Sequence, residues 1–489
     1  MSTTTRAPKP GPWTAVLRRA GLTAAAIALM TSTAHAEPKE VVVTPKARTT
    51  LAVTIYNGNV AFVHEQRRID LKSGRNVLAL SGVSPSMQPA TASVLADAPK
   101  NATLVDQTFA FDLLTPASLL KHSVGRTVRV IKTHPTTGEE TVEIAKVLST
   151  RNGIILQIGN RIETKVPGRM AYDALPSTLR ESPTLLATFD VKQPAATTLD
   201  LHYLTGGLTW QADYVAKLDA SETKLSLQAV ATITNNSGAA FGDAALRLVA
   251  GSINQGPQRS SPPGRALSAR KQTAQLAAPV PPQPAGDMHI YPIADKTSLE
   301  DRATKQIVLF RAATVPVTKE YRIEGNGSFY TRRFGNPLTL NAERLLRFNN
   351  KDKEGLGVPM PAGTIRVYGQ ADGSGGTFFG ADRIGHTPDG AEVRLRLGRA
   401  FDITAKRKQT DFRKQGLPKN TYESTHEIKI GNATGKAVTV KIVERMPGDW
   451  KILESSAKHQ KAASDRAEWS ITVPSKGEKK LTYKARIQL

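Results

Sequence analysis

The sequence contains no cysteine. Disulfides are therefore excluded, as are thiolate metal sites and cysteine nucleophiles. Acidic residues are few, 42 against 66 Lys and Arg. After residue 36 no apolar run approaches the ~20 residues that a membrane-spanning helix needs. Metal-ligand spacing is missing too: there is no H-E-x-x-H, and no two of the nine histidines stand at i and i+4. No segment keeps a helical period. These absences exclude several chemistries and leave strands as the building material.

What is present begins with a leader. Arg6, Lys9, Arg18 and Arg19 precede the apolar stretch AGLTAAAIALM at Ala20–Met30, and Ala34-His35-Ala36 follows as a small-x-small cleavage site. This order predicts a signal peptide over 1–36, a mature chain from Glu37, and export to the periplasm or beyond, with no transmembrane segment after cleavage. The route is general secretion, with the twin-arginine route open through Arg18-Arg19. Removing the four leader bases leaves 62 against 42 acids, a surplus of +20. Such a field attracts polyanions. Anionic envelope polysaccharide, lipid headgroups or an envelope protein are the partners it suggests, and no specific nucleic-acid motif is present.

Alternation at period two then runs through the chain. Leu51, Val53 and Ile55 precede Asn57-Gly58, which predicts a hairpin on a type I′ turn. Thr115-Pro116 reads as a helix start, with Thr as N-cap and the helix ending near Lys121. VRVIKT, TVEIAKVLS, IILQIG and NRIETKV on tight turns predict a small inserted β-barrel near 122–170. Leu225, Leu227, Ala229 and Ala231 alternate before a turn at Asn235–Gly238, a sandwich rhythm. Residues 251–287, rich in Pro, Gln, Ser and Ala, read as a disordered segment. The expected fold is all-β: several β-sandwich domains with the small barrel inserted in the N-terminal region. Its divisions are an N-terminal β domain over 37–195, a central sandwich over 196–330 interrupted by that segment, and a C-terminal sandwich over 331–489.

Motif resemblances to catalytic sites are weak. Ser118-Leu-Leu-Lys121 fits S-x-x-K without its companion elements. Gly431–Lys436 is one residue short of a phosphate loop and reads as a hairpin turn. Lys406-Arg407-Lys408 is either an anion-binding hairpin or an edge protected by charge. In TGGLTWQADY, Gly206-Gly207 predicts a turn, and Trp210 and Tyr214 share one strand face, as core or as a sugar-stacking platform. Trp210, Tyr214, Lys406, Arg407 and Lys408 are the ligand candidates. Catalytic residues, cofactor and metal are assigned to none. A hydrolase would need two carboxylates facing across a cleft, for which Asp213, Asp243 and Glu444 are candidates. A third reading is partner binding through an exposed β-edge.

LHYLTGGLTWQADYVAKL, ATITNNSGAAFGDAALRLVAG, AFDITAKRKQTDF and VERMPGDWKILESS resemble blocks of the domain-of-unknown-function 4139 family of secreted bacterial proteins. The stretch from Leu51 to Leu80 resembles the region found ahead of it. The resemblance implies a secreted envelope protein, some relatives being named mucoidy inhibitor A, and brings no catalytic residues with it. Together these readings describe an exported, non-catalytic binding or structural protein of the envelope.

Overall fold

The computed structural model describes residues 40–110, 112–176, 178–251, 283–285, 288–369, 376–415 and 420–489. The expected leader and cleavage site, residues 1–36, lie outside the described residues. The described chain is all-β, with five main sheets and one short α-helix, Pro116–His122. That helix starts as its sequence predicts: the Thr115 side chain accepts a bond from the Ser118 backbone N–H at 3.0 Å. The Thr115 hydroxyl also donates to Ser118 Oγ, so this serine serves the cap.

Three apolar clusters organise the chain. The largest gathers residues from Val43 to Leu397, the second from Ile323 to Ile487, and a small one holds Val128, Val130, Ala145, Val147, Leu156 and Ile158. Two long strands run from the first cluster into the second. Glu392–Gln415 contributes Val393 and Leu395 to the first and Ile403 and Ala405 to the second. Its partner Leu338–Asn349 places Leu346 in the first and Ala342 in the second. Continuous strands of this kind tie two sandwiches together through backbone hydrogen bonds.

The two sandwiches repeat one connectivity. In the first, Leu208–Leu218, Lys224–Asn235 and Ala303–Pro316 pair antiparallel, and Phe241–Ala250 lies parallel to Arg48–Tyr56. In the second, the end of Glu392–Gln415 pairs with Thr421–Asn432 and that strand with Gly477–Gln488, while Val438–Arg445 lies parallel to Thr318–Glu324. A buried asparagine holds the same place in each. Asn235 Nδ2 donates to the carbonyls of Ala239, Leu299 and Glu300, and Asn432 Nδ2 to those of Lys436, Val473 and Pro474. Each side-chain oxygen accepts from the residue two positions on, Ser237 or Thr434. One amide thus satisfies carbonyls from two chain segments that would otherwise be orphaned in the interior. Strands Gly363–Gly369 and Thr377–Ile384, far along the chain, complete the sheet of Leu208–Leu218.

Three sequence expectations need correction. The inserted module is an open five-stranded sheet and not a barrel. Its order is Arg161–Glu163, Ile155–Ile158, Glu140–Ser149, Thr127–Thr133, Arg169–Ala171. Its two edge strands have three residues each, too short for the tilted, staggered pairing that closure requires. The hairpin after Tyr56 uses Asn59 at φ 56° as its left-handed residue, so the loop has three residues rather than two. Within the segment expected to be loose, Gln283–Ala285 forms the outermost strand of a sheet, where proline is tolerated because one side of an edge strand is unpaired. Residues 252–282 and 286–287 lie outside the described residues.

Candidate functional site

The stretch TGGLTWQADY opens on a turn where Gly207 stands at φ 81° and a Cβ would lie 2.5 Å from Ser237 Cα. Both the angle and the close approach demand glycine. The strand that follows buries Trp210 and Tyr214. Trp210 Nε1 donates to the Val249 carbonyl at 3.1 Å, and the Tyr214 hydroxyl to that of Pro361 at 2.6 Å. Burial pushes the Tyr214 pKa up. These rings are core, with no surface left for stacking a sugar. Asp213 faces the other way but is not idle: it accepts from Arg366 at 2.8 Å and Thr232 at 2.7 Å, with its side chain 11% exposed.

Lys406-Arg407-Lys408 splits across the sheet. The inward parity of Ile403, Ala405 and Arg407 buries the arginine, while both lysines are exposed. Arg407 pairs with Glu444, itself buried. It also donates to Tyr483 Oη at 3.0 Å and His426 Nδ1 at 3.2 Å, and lies 4.1 Å above the Phe329 ring. The Tyr330 hydroxyl donates to Glu444 at 2.6 Å and meets Tyr483 Oη at 2.7 Å. Burial is the largest single influence and opposes the charge on Arg407, but the Glu444 carboxylate together with the Tyr483 and Tyr330 hydroxyls outweighs it, and the pKa rises well above its usual value. Burial, and then the Arg407 charge, lower the His426 pKa to about 2.

Ser424, His426 and Glu444 thus share one buried cluster, a composition reminiscent of a nucleophilic triad. Its wiring is wrong for that chemistry. A triad needs the carboxylate on one imidazole nitrogen and a free lone pair on the other, aimed at the serine. Here Arg407 takes the carboxylate and donates to Nδ1. The imidazole proton therefore resides on Nε2, which donates to Ser424 Oγ at 3.0 Å. The histidine has no lone pair facing the serine, and its lowered pKa makes it a poor base. Arg407 and Glu444, read from sequence as a ligand candidate and a hydrolase carboxylate, are one internal ion pair. The three carboxylate candidates lie in three different sheets: Asp213 with Arg366, Glu444 with Arg407, and Asp243 exposed beside Lys296 at 3.2 Å. Among the described residues no group of three or more His, Asp or Glu side chains could hold a metal ion.

The exposed lysines belong to a larger surface. Lys406 lies directly across from Lys429, and Lys429 directly across from Lys480, so three lysines form a row over three adjacent strands. Like charges placed directly opposite oppose folding. Two are partly compensated on the diagonal, Lys429 by Glu478 at 2.5 Å and Lys480 by Glu427 at 3.4 Å. Among the described residues neither Lys406 nor Lys408 forms an ion pair within 4 Å, although Lys408 lies across from Glu427. The neighbouring row, Thr404–Gly431–Glu478, floors an open groove of about 460 Å3 that also takes in Asp402, Lys476 and the 89%-exposed ring of Phe401. That volume lies in the range of small-molecule sites. The equivalent end of the first sandwich is covered by its own chain: Pro85 packs on Gly238, and Gly206 donates its N–H to Ser86 O at 3.0 Å. Sequence reasoning missed Lys429, Lys480 and Phe401, because their convergence depends on register between strands. It also missed the asparagine pair, which the repeated I-x-N-x-[ST]-G at Ile233 and Ile430 signals.

A comparison with curated proteins finds no match. No helix among the described residues is long and apolar enough to cross a membrane. Residues 199–489 match the family described as Domain of unknown function (DUF4139), so the lysine row, the groove and the Arg407–Glu444 cluster all fall inside the matched region, and the chain belongs to that family.

Proposed function

We propose that this chain is exported to the cell envelope and acts there as a non-catalytic binding protein for an anionic polymer, held on the lysine row of its C-terminal sandwich. The leader composition supports export. The carrying observation is the row Lys406–Lys429–Lys480 with Lys408 beside it, where positive charge only partly compensated by Glu427 and Glu478 is gathered on one sheet face. A surface arrangement that costs stability and is only partly compensated within the chain is explained by an external partner. The wiring of Ser424, His426 and Glu444 through Arg407 supports binding without turnover.

The test is binding to polygalacturonate, a polyanion of defined charge, at two salt concentrations. Wild-type protein binds at low salt and weakens steeply as salt rises. Lys406→Glu with Lys408→Glu removes most of the binding, and the variant still folds, since both side chains are exposed. Equal binding by wild type and variant would refute the assignment of the site. Export is tested separately: sequencing the N-terminus of secreted protein should read from Glu37, and uncleaved protein confined to the cytoplasm would refute it.

A further inference from the structure

The inserted five-stranded sheet packs only one face. Val128, Val130, Ala145, Val147, Leu156 and Ile158 fill the inner side. On the outer side Val142, Ile144 and Ile162 are 56%, 69% and 57% exposed, and Leu148 is 38% exposed. Ile131 lies directly across from Val142 and extends the apolar area to a neighbouring strand. Antiparallel sheets commonly leave one face to water, but that face then carries polar residues. Isolated surface aliphatics need no explanation, whereas a contiguous group across several strands marks an interaction surface. The edges of this sheet are blunted by three-residue strands, which guards against strand addition. The fold thus protects the edges of the module and leaves on its face an apolar group of Val142 and Ile144, with Ile131 across from Val142, while Ile162 stands beyond Gln157 and Lys146 on the same side.

Charge decides between occupants. From Val124 to Asp173 the sequence carries eight Lys and Arg against five Asp and Glu, a surplus of +3. On the outer face Arg129 pairs with Asp173 at 2.7 Å and Arg169 with Glu140 at 2.9 Å, while Lys146, across from Gln157, has no acid partner among the described residues. A second copy would bring one basic module against another. Exposed aliphatics beside a net positive charge match the interface of a bilayer with anionic headgroups, where apolar burial and electrostatic attraction add. We propose that the outer face of this module is a membrane-docking surface that lies on an anionic lipid bilayer, with Val142, Ile144 and Ile162 entering the headgroup boundary. It is separate from the lysine row and stands independently of the function proposed above.

The experiment is co-flotation of the full chain with vesicles of phosphatidylcholine containing phosphatidylglycerol, against phosphatidylcholine alone. Three proteins are compared: wild type, the triple variant Val142→Thr, Ile144→Thr and Ile162→Thr, and Lys146→Glu. Threonine keeps β-branching, and the changed side chains are exposed, so the triple variant folds. Wild type floats with anionic vesicles and not with neutral ones. The triple variant loses roughly tenfold or more in partitioning, in proportion to the apolar area removed, and Lys146→Glu weakens it by a smaller factor. The triple variant still binds polygalacturonate as wild type does, which separates this surface from the lysine row. Unchanged flotation of a folded triple variant would overturn the proposal. So would wild-type protein that ignores anionic vesicles, or that instead forms a dimer which the triple variant abolishes.

Discussion

The buried cluster of the C-terminal sandwich permits a quantitative test. Arg407 and Glu444 are almost fully enclosed, and each is the other's only opposite charge there. Taking ions from water is costly, and the pair recovers that cost only while both are present. Arg407→Met leaves a buried carboxylate, and Glu444→Leu leaves a buried guanidinium and also deprives the Tyr330 hydroxyl of its acceptor. Each single change should cost about 3–5 kcal/mol. The double variant removes both charges, leaves the Tyr330 and Tyr483 hydroxyls bonded to each other at 2.7 Å and strands His426 Nδ1, a penalty of about 1–3 kcal/mol. The double should therefore be more stable than either single, with a coupling energy of several kcal/mol. Urea denaturation followed by tryptophan fluorescence reads this core directly, because Trp469 stacks on Tyr483 at 4.7 Å. Additive costs, or a single variant with an unchanged midpoint, would refute the account of the cluster as a structural ion pair.

Other expectations follow from the same contacts. Trp210→Ala should cost about 3–5 kcal/mol in a melting or denaturant series, since it removes a core ring. Asp213→Asn should also destabilise measurably, because the carboxylate is held by Arg366 and Thr232; a neutral result would show that this pair contributes nothing. His426 is neutral in the folded protein down to about pH 2 but takes a proton near 6.5 when unfolded. The unfolded state then binds more protons, so stability falls as pH drops below 6.5, by up to about 1.4 kcal/mol per pH unit from this group. His426→Gln should flatten that slope, and an unaltered slope would show that the histidine is not the titrating group. Asn432→Ala should lose several kcal/mol, having left the carbonyls of Lys436, Val473 and Pro474 without donors, and Asn235→Ala should behave alike. Denaturant midpoints that match wild type would remove the clamp from the account.

Much of the local structure is legible in the sequence because it is decided locally. The alternation at Leu225, Leu227, Ala229 and Ala231 gives a strand, and Thr115-Pro116 a helix start, since period and cap chemistry need no distant partner. The inward position of Arg407 was open to reading as well: Ile403, Ala405 and Arg407 share one parity. Two flanking lysines drew attention to the charge of the triplet instead. What the sequence withholds is pairing. Parallel contact between Arg48–Tyr56 and Phe241–Ala250 joins segments far apart in the chain, and no local pattern specifies it. The lysine row exists only once the registers of three strands are known. An open sheet and a closed barrel share the same alternation, and only the edge-strand lengths separate them. The asparagine clamp shows an intermediate case, because its motif is repeated in the sequence but its meaning lies in the carbonyls it gathers.

Hydrogen–deuterium exchange of the whole protein, with and without polygalacturonate, tests binding on the lysine row most directly. Bound polymer should slow exchange in peptides covering residues 404–410, 425–431 and 478–484, and leave the first sandwich and residues 124–171 unchanged. Protection confined to another region, or none at saturating polymer and low salt, would contradict it.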